Sequence, residues 1–451
     1  MGEGGRGRNR RALLTATAAL GGAALAACTT GGGQPRQPGG AAAATLAPGE
    51  IEFWNHWGEG TPGALGWQAV IDRFGAAHPG VGVKRVVLAS TVMNEKIVAA
   101  AAAGTPPALM DMSAVQYAAA VPRGLLVKLD PFTRAYPALA RSALLPAALQ
   151  TVVLNDAVYA TPTEFGALML YYNADLLQES GARPPDASWR WEAELLDQAR
   201  RVARPDAPPE QQRYGVEHIT NGWWSAQWWV TVWGAGGDLL TRDRKRSALA
   251  DAPAVEGLQY LADLKHRWRV TPSDEGRQAG GQGQGRPFFE SGRVAFFPNG
   301  AFYYAQVKDN ARFKWGVAPL PRGKAGSTPG TGGWLIGAAA GGDPSRRDAA
   351  VAFLGHYLRP EVYGEFLRFV SWTPPLKSVE RPPIVADPAH WDVFVASGAA
   401  ARALPSIPQM DEVLKLANEA LKPVFDAGTQ AAQAAMRDLA PRIDALLAAG
   451  A

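Results

Sequence analysis

Tryptophan is concentrated in one short segment of the chain, which also carries amide and hydroxyl side chains. Five of the 15 tryptophans lie within eleven residues, with Asn221, Ser225 and Gln227 around them: Trp223, Trp224, Trp228, Trp229 and Trp233. On a helix, the pairs 224/228 and 229/233 would lie about 140° apart, which one core-facing stripe does not easily hold. Aromatic rings stack on the apolar C–H faces of sugars while polar groups bind the hydroxyls. We therefore predict that at least one of Trp224 and Trp228 faces a ligand, and that the other tryptophans mostly pack.

The elements that must position such side chains begin with an alternation of predicted strands and helices. Residues 51–54, 81–88 and 108–112 are short apolar runs, rich in β-branched or aromatic residues in the first two, and predict strands. The segment between the first two has apolar residues at helical spacing, and an Ala-rich segment that stops at Gly104 predicts another helix. Strand–helix–strand–helix–strand predicts a parallel sheet with right-handed crossovers, and therefore an α/β fold.

This topology indicates where a ligand binds. Ligands of parallel α/β sheets lie outside the carboxyl ends of the strands, which makes the turns after Trp54 and after Met112 candidate binding loops. Trp57, in the segment Asn55-His56-Trp57-Gly58-Glu59, is predicted to lie at the rim of the cleft. An aromatic residue of a plain surface loop is the alternative for this position.

The chain opens with the features of an export signal. Basic residues, including the pair Arg10-Arg11, precede an apolar, Ala-rich stretch that runs to Ala27. The pair resembles a twin-arginine signal, and an ordinary export signal is the alternative. The segment ends in Leu-Ala-Ala-Cys28, which resembles a bacterial lipobox, so residues 1–27 are a predicted signal peptide and Cys28 is the predicted lipid attachment site. Residues 28–49 are rich in Gly, Pro and Ala and predict a flexible tether.

Bulk composition argues against several classes of protein. The 451 residues exceed what one compact core usually fills, which predicts at least two lobes. The formal net charge is +4, but four Arg and one Glu lie in the leader, so the rest of the chain has 41 basic and 40 acidic residues. This balance gives no electrostatic case for nucleic acid. A single cysteine and six histidines without paired spacing predict no internal disulfide, no metal site and no cofactor.

Short motifs follow one another along the chain after the tether. They are FGAAHPGVGV at 74–83, AGTPP at 103–107, GLLVKLD at 124–130, YATP at 159–162, LYYNADLL at 170–177, GGD at 236–238, FESGRVA at 289–295, PLP at 319–321 and GGW at 332–334. In this order and spacing, over about residues 50–445, they resemble the bacterial extracellular solute-binding protein family 1, which includes the sugar-binding proteins of ABC importers. Ala108 departs from the pattern, because the family usually has aspartate after the AGTPP turn.

The resemblance implies a type II periplasmic-binding-protein fold, with two α/β lobes that close around a ligand by hinge motion. Carried over to this chain, lobe 1 comprises residues 50–158 and 315–365, and lobe 2 comprises residues 159–314 and 366–451. It also implies a monomer that delivers a small ligand, most simply a sugar, to the permease of an ABC importer. The lipidated Cys28 would anchor the protein at the outer face of the cell membrane or in the periplasm.

The resemblance also implies ligand contacts at specific positions. Ser113 and Gln116 match positions that contact hydroxyls, and Thr163 and Glu164 lie at the first crossing between the lobes. Phe302 stands where the family often has a stacking tryptophan. With the residues named above, the predicted ligand-binding set is Trp57, Ser113, Gln116, Thr163, Glu164, Trp224, Trp228, Asn299, Phe302, Gly333, Trp334 and Trp372. Core packing or surface exposure is the alternative for each of them.

Three other functions remain as alternatives, one of which is a lipoprotein that signals to a sensor or holds envelope structure. A secreted glycoside hydrolase would need two carboxylates about 5–10 Å apart across one sugar bond. Glu59, Asp111 and Glu164 are possible members, but no sequence feature pairs them, so we expect no enzyme activity. A binder of glycerol phosphodiesters or of another non-sugar solute is the second alternative. An anion would require Arg or Lys in the cleft, and no candidate position is basic, which favours a neutral ligand.

Overall fold

The structure is a computed structural model, and it describes residues 45–217, 228–272 and 288–449. The predicted signal peptide at 1–27, Cys28, nearly all of the tether and Trp224 lie outside these residues. The described strands are β1 (Gly49–Asn55), β2 (Val81–Val87), β3 (Leu109–Ser113), β4 (Val153–Leu154), β5 (Ala157–Val158), β6 (Ala160–Pro162), β7 (Gly166–Asn173), β8 (Tyr214–Val216), β9 (Val294–Gly300), β10 (Trp315–Ala318), β11 (Gly330–Gly332), β12 (Trp334–Ala338) and β13 (Arg402–Ala403).

Helices occur in all three described ranges. They are α1 (Pro62–Ala77), α2 (Ser90–Ala102), α3 (Ala114–Ala120), α4 (Pro146–Val152), α5 (Ala174–Glu179), α6 (Leu196–Val202), α7 (Trp229–Gly234), α8 (Ala252–His266), α9 (Tyr304–Asn310), α10 (Pro344–Tyr357), α11 (Pro360–Phe366), α12 (Pro388–Ala400), α13 (Met410–Phe425) and α14 (Ala432–Ala449). None of the helices in the described ranges is long and apolar enough to cross a membrane.

The first sheet has the order β2-β1-β3-β12-β6. β1 pairs in parallel with both β2 and β3, which confirms the predicted parallel arrangement at the start of the fold. β12 is antiparallel to β3 and to β6. The predicted end of the second helix also holds: α2 stops at Ala102, and Gly104 follows with φ +75, a conformation that favours glycine. The core around this sheet contains Trp67, Phe74 and Phe353.

The second sheet has the order β13-β11-β7-β9-β8, with β10 paired to β7. Its core packs against α6, α8, α13 and α14. In α14 the buried stripe is Met436, Leu439, Ile443 and Leu447.

The chain passes between the two sheets at two points that matter for the site. Residues 163–165 link β6 of the first sheet to β7 of the second, and Gly333 links β11 of the second sheet to β12 of the first. The predicted bounds assign β6 to lobe 2 and β10 to lobe 1. Strand pairing places β6 with the first sheet and β10 with the second. The division into lobes itself stays a prediction.

Candidate functional site

Three ionisable side chains meet where the first sheet borders these crossings. His56 directly follows β1, Asp111 lies in the adjacent strand β3, and Glu164 lies in the link from β6 to β7. Nδ1 of His56 is 2.7 Å from Oδ2 of Asp111, and Nε2 is 3.3 Å from Oε1 of Glu164. Asp111 is only 2% exposed and Glu164 only 4%. We call these three residues the His56 cluster.

Two of the predicted aromatic residues contact this cluster. The indole Nε1–H of Trp57 donates to Oε1 of Glu164 at 2.6 Å. The ring of Trp334 stacks on the imidazole of His56, with centroids 4.0 Å apart and planes 26° apart. Trp57 lies on the same imidazole at 5.1 Å. The structure therefore brings Trp57, Glu164 and Trp334 together around His56, a residue outside the predicted ligand-binding set.

The two chain crossings are fixed to each other by backbone contacts. Thr163 donates from its backbone N–H and from its hydroxyl to the carbonyl of Trp334, at 2.9 and 2.8 Å. A Cβ at Gly333 would lie 1.3 Å from the carbonyl oxygen of Glu164, so only glycine fits there. Thr163 and Gly333 thus hold the protein together at the crossings. The backbone of Glu164 is the group that approaches Gly333 closely.

Hydrogen bonds with Asn55 and Arg85 hold the turn that carries His56. The side-chain oxygen of Asn55 accepts the backbone N–H of Trp57 at 3.1 Å, and Nη2 of Arg85 donates to the same oxygen at 3.2 Å. Arg85 also donates to the carbonyl of Trp57. On the other crossing, the Tyr363 hydroxyl donates to the carbonyl of Thr163 at 3.0 Å. These hydrogen bonds restrict the movement of His56 and Glu164 relative to each other.

Burial and mutual attraction shift the protonation of the His56 cluster. Burial alone lowers the pKa of His56, but attraction to Glu164 and Asp111 and the hydrogen bond to Asp111 outweigh it and raise that pKa to about 9. Burial raises the pKa of Glu164 to about 7, against the opposing attraction of His56 and the Trp57 hydrogen bond. The imidazole is therefore a cation held between two buried acidic groups.

The cluster also has the residue types of a metal site. One ligand atom from each of His56, Asp111 and Glu164 lies within 4.8 Å of the others. However, His56 faces Asp111 with one ring nitrogen and Glu164 with the other, and these nitrogens point away from each other. One ion cannot take the imidazole and both carboxylates without rearrangement. The imidazolium already supplies the positive charge that the carboxylates need.

Other predicted residues lie in different surroundings. Ser113 and Gln116 bond to each other's backbone as the capping box that starts α3. The rings of Phe302 and Trp372 lie 5.2 Å apart and both border Gly166. Asn299 accepts the backbone N–H of Gly300 at 2.7 Å.

Trp228 lies in the core of the second sheet. It is completely buried, its ring lies edge-on to Trp229 at 5.6 Å, and its indole N–H donates to Asn418 at 2.9 Å. Trp228 thus packs in the core of the second sheet, and Trp224 lies outside the described residues. That at least one of the two faces a ligand stays a prediction.

A small recess, part of it open to solvent, lies near the crossings. Its walls come from the first turn of α3, from α4, α7, β11 and α13, and from the segment after β13. It is lined by Ala114, Val115, Thr151, Trp229, Thr331, Gly332, Ala403, Leu404, Pro405, Ser406 and Leu414. No side chain of the His56 cluster is among them. No local sequence pattern indicates this recess, because its lining comes from six separate segments.

Comparison with known proteins shows to which family this chain belongs. The family model described as bacterial extracellular solute-binding protein matches residues 57–363. The mannitol-binding protein of Pseudomonas aeruginosa is 24% identical over 303 residues, which cover 65% of this chain and 66% of that protein. The chain thus spans about two thirds of the length of this curated relative.

Solved structures of similar fold cover nearly the whole chain. The GacH receptor of Streptomyces glaucescens, studied unliganded and with acarbose, is 26% identical with a TM-score of 0.73, covering 89% of this chain and 99% of its own. Maltose-bound MalE3 of T. maritima is 21% identical with a TM-score of 0.72, and the match covers 88% of this chain and 99% of MalE3. UgpB of Mycobacterium tuberculosis, in complex with glycerophosphocholine, is 18% identical with a TM-score of 0.74, and the match covers 90% of this chain and 100% of UgpB. These likenesses confirm the predicted type II periplasmic-binding-protein fold.

Proposed function

The chain belongs to the bacterial extracellular solute-binding protein family, and from this premise we propose that it captures a mono- or oligosaccharide and delivers it to the permease of an ABC importer. The observation that carries the ligand class is the His56 cluster with its two tryptophans. Carboxylates accept hydrogen bonds from hydroxyl groups, and indole rings cover the apolar faces of sugars. The cluster lies at the crossings between the sheets, where a hinge motion would open it to solute.

The names of similar proteins support this ligand class. The mannitol-binding protein and the structures with acarbose and with maltose all concern polyhydroxylated, sugar-like solutes. Binding of such a solute requires many hydrogen-bond acceptors in a small volume. Asp111 and Glu164 supply four carboxylate oxygens, and Oδ1 of Asp111 is buried without a hydrogen-bond partner among the described residues.

A glycerol phosphodiester is the second candidate, because UgpB has the same fold and binds glycerophosphocholine. The charge of the His56 cluster disfavours it. A phosphate would approach two buried carboxylates that share one imidazolium. The guanidinium of Arg85, which supports the turn that carries His56, is engaged by Asn55 and the carbonyl of Trp57. A neutral solute avoids this repulsion.

We propose that the solute leaves chemically unchanged. A glycosidase needs space for a glycosidic bond between its two carboxylates. Here the imidazole of His56 fills the gap between Asp111 and Glu164, with contacts of 2.7 and 3.3 Å. A scissile bond has no room between them in this arrangement. The His56 cluster therefore suits binding rather than hydrolysis.

Export and anchoring complete the proposal. The family is extracellular, which fits the leader at 1–27. We propose that Cys28 becomes the lipidated first residue and that residues 28–49 tether a monomer to the membrane. Globomycin, which blocks lipoprotein signal cleavage, would then cause an unprocessed precursor to accumulate. If globomycin did not change the processing of the wild-type protein, or if Cys28→Ala were processed as the wild type is, lipidation at Cys28 would be refuted.

The ligand is tested by calorimetric titration of residues 45–451 with maltose, acarbose, mannitol and glycerophosphocholine. We expect heat of binding with a neutral sugar or polyol and none with the phosphodiester. Glu164→Gln should weaken binding at least tenfold, whereas Glu95→Gln, an exposed carboxylate on α2, should leave the affinity unchanged. Mass spectrometry should recover the solute intact. Binding of glycerophosphocholine alone would replace the sugar proposal, and a cleaved solute would refute the absence of catalysis.

A further inference from the structure

Basic side chains gather at one end of the second sheet, away from the crossings. β8 and β9 are parallel and both begin at this end, where Tyr214 pairs with Val294. From there β9 extends over about 20 Å to Gly300, which pairs with Leu168 beside the link to the first sheet. The end at which β8 and β9 begin is thus separate from the His56 cluster and from the recess.

Backbone hydrogen bonds bring three segments together at this end: the chain after α6, the chain after α8 and the start of β9. The backbone N–H of Arg204 donates to the carbonyl of Arg213 at 2.8 Å, and that of Tyr214 donates to the carbonyl of Arg293 at 2.9 Å. The carbonyl of Val270 accepts two backbone hydrogen bonds from β8. Segments that are far apart in the sequence therefore lie side by side.

We call residues 197–214, residues 263–269 and Arg293 the basic pole. Together they carry eight basic and four acidic side chains, a net charge of +4. The basic residues are Arg200, Arg201, Arg204, Arg213, Lys265, Arg267, Arg269 and Arg293. The chain beyond the leader has a net charge of only +1, so its other residues together have a net charge of −3. The basic pole is therefore the part of a nearly neutral protein that attracts anions.

Three arginines of the basic pole have no acidic partner. The guanidinium groups of Arg204 and Arg213 donate only to backbone carbonyls. That of Arg293 donates to the hydroxyl of Ser291 and to the carbonyl of Pro209, each at 3.3 Å. None of the three lies within 4.0 Å of a carboxylate oxygen among the described residues. Their charges are not neutralised within the protein, and a guanidinium stays charged at any physiological pH.

Partly buried aromatic side chains accompany these charges. The guanidinium of Arg267 lies over the ring of Trp268, 5.6 Å from its centroid, and the hydroxyl of Tyr214 donates to the side chain of Gln212 at 2.9 Å. Trp and Tyr have an apolar ring with a polar group, and both are enriched where protein meets the headgroup region of a membrane. Arginines without acidic partners beside such rings favour a lipid surface over a soluble anion.

The anchoring proposed above would keep such a surface within reach. A flexible tether of residues 28–49 has an average end-to-end distance of about 25 Å. It holds the domain beside the membrane at an effective concentration in the millimolar range, so a weak attraction is sufficient. Each Lys or Arg close to an anionic lipid surface strengthens binding about fivefold.

We propose that the basic pole is a docking surface for the anionic phospholipid headgroups of the membrane. Arg204, Arg213 and Arg293 supply charge without acidic partners, and Trp268 lies at the headgroup level. Docking holds the tethered domain against the membrane that contains the permease. The charge of the basic pole does not depend on lipidation or on the solute, so vesicle binding by an unlipidated chain tests this inference separately from the proposed function.

Sedimentation with vesicles measures the docking. The protein is residues 28–451 with Cys28→Ser, so that no acyl chain contributes to binding. Vesicles of equal parts phosphatidylglycerol and phosphatidylcholine should bind half of the protein at about millimolar accessible lipid, and phosphatidylcholine alone should bind none. Binding should disappear at about 0.5 M NaCl, because salt screens exposed charges. Equal binding to both vesicle types, or no binding to the anionic ones, would overturn the proposal on this protein alone.

Two triple variants of equal charge locate the surface. Arg204→Gln, Arg213→Gln and Arg293→Gln together should weaken vesicle binding on the order of a hundredfold. The control triple changes three exposed arginines on or near helices that pack on the first sheet, and it should bind within about threefold of the unchanged chain. Its substitutions are Arg73→Gln, Arg123→Gln and Arg346→Gln. Equal losses in the two triples would show that only net charge matters and would refute a docking surface at the basic pole.

A lysine triple separates charge from folding. Arg204→Lys, Arg213→Lys and Arg293→Lys together keep the charge and should bind the anionic vesicles within about threefold of the unchanged chain. Thermal unfolding confirms that each variant is folded. A folded lysine triple that failed to bind would show that the basic pole does not act through charge, and would overturn the proposal.

Discussion

Nε2 of His56 lies 3.3 Å from Oε1 of Glu164, and Nδ1 of the same ring lies 2.7 Å from Asp111. This bridge connects the end of β1 to the link through which the chain leaves the first sheet. Each carboxylate alone would be costly to bury, and the imidazolium offsets part of that cost. The bridge therefore couples the protonation of His56 to the packing of the crossings.

Stability should fall as pH rises from about 6.5 to about 9. The pKa of His56 is raised to about 9 in the folded protein, above the ordinary value of 6.5. The folded state thus binds more protons than the unfolded state in this range, and raising the pH favours unfolding. Denaturant unfolding at several pH values measures the effect. His56→Gln should flatten the dependence, whereas His78→Gln should retain it, because the pKa of His78 is lowered. An equally steep fall in His56→Gln would contradict the assignment.

Gly333→Ala should destabilise the protein severely, by more than about 4 kcal/mol, or prevent folding. The added Cβ would meet the backbone carbonyl of Glu164 at 1.3 Å, and a backbone atom cannot rotate away as a side chain does. Gly364→Ala, on α11, is the matched control, since a Cβ at that position would meet nothing within 4 Å. Thermal unfolding should show the control unchanged or slightly stabilised. A well-folded Gly333→Ala would mean that the crossings are not packed as described.

Thr331→Val should leave the free energy of unfolding unchanged or raise it, because the Thr331 hydroxyl has no hydrogen-bond partner among the described residues. Thr151→Val is the contrasting variant. Its hydroxyl donates to the carbonyl of Ala148 at 2.7 Å, so the loss should cost about 1 kcal/mol. Both threonines are buried at the same recess. Equal destabilisation by the two variants in denaturant unfolding would show that Thr331 has a partner.

Trp57→Phe should raise the pKa of Glu164 above about 7. The indole N–H donates to the ionised carboxylate and so favours its charged form, in opposition to burial. Carbon-13 NMR of the labelled carboxyl groups measures the titration. Trp54→Phe removes an indole bond to a different carboxylate, that of Glu52, and should leave Glu164 unaffected. An unchanged titration in Trp57→Phe would show that the indole does not act on Glu164.

Much of the local structure followed from the sequence. β-branched runs at 81–88 and the stop at Gly104 predicted β2 and the end of α2, because these signals depend on neighbouring residues alone. The parallel start of the fold followed from the alternation of strands and helices. The rule that ligands bind beyond strand ends selected Trp57, which lies against His56. The motif order identified the family, because many weak matches in one order are rarely accidental.

The sequence by itself determined the elements, the parallel start of the first sheet and the family. Only the tertiary structure decided which side chains meet. His56 and Asp111 come together with Glu164 because two adjacent strands and a chain crossing converge there, and no spacing along the chain encodes that distance. The position of Trp228 also depends on tertiary contacts. Its helical spacing fits both a core face and a ligand face, and only the folded structure shows that its indole N–H donates to Asn418 on α13. Contacts between distant segments depend on how whole elements pack, and local patterns do not contain that information.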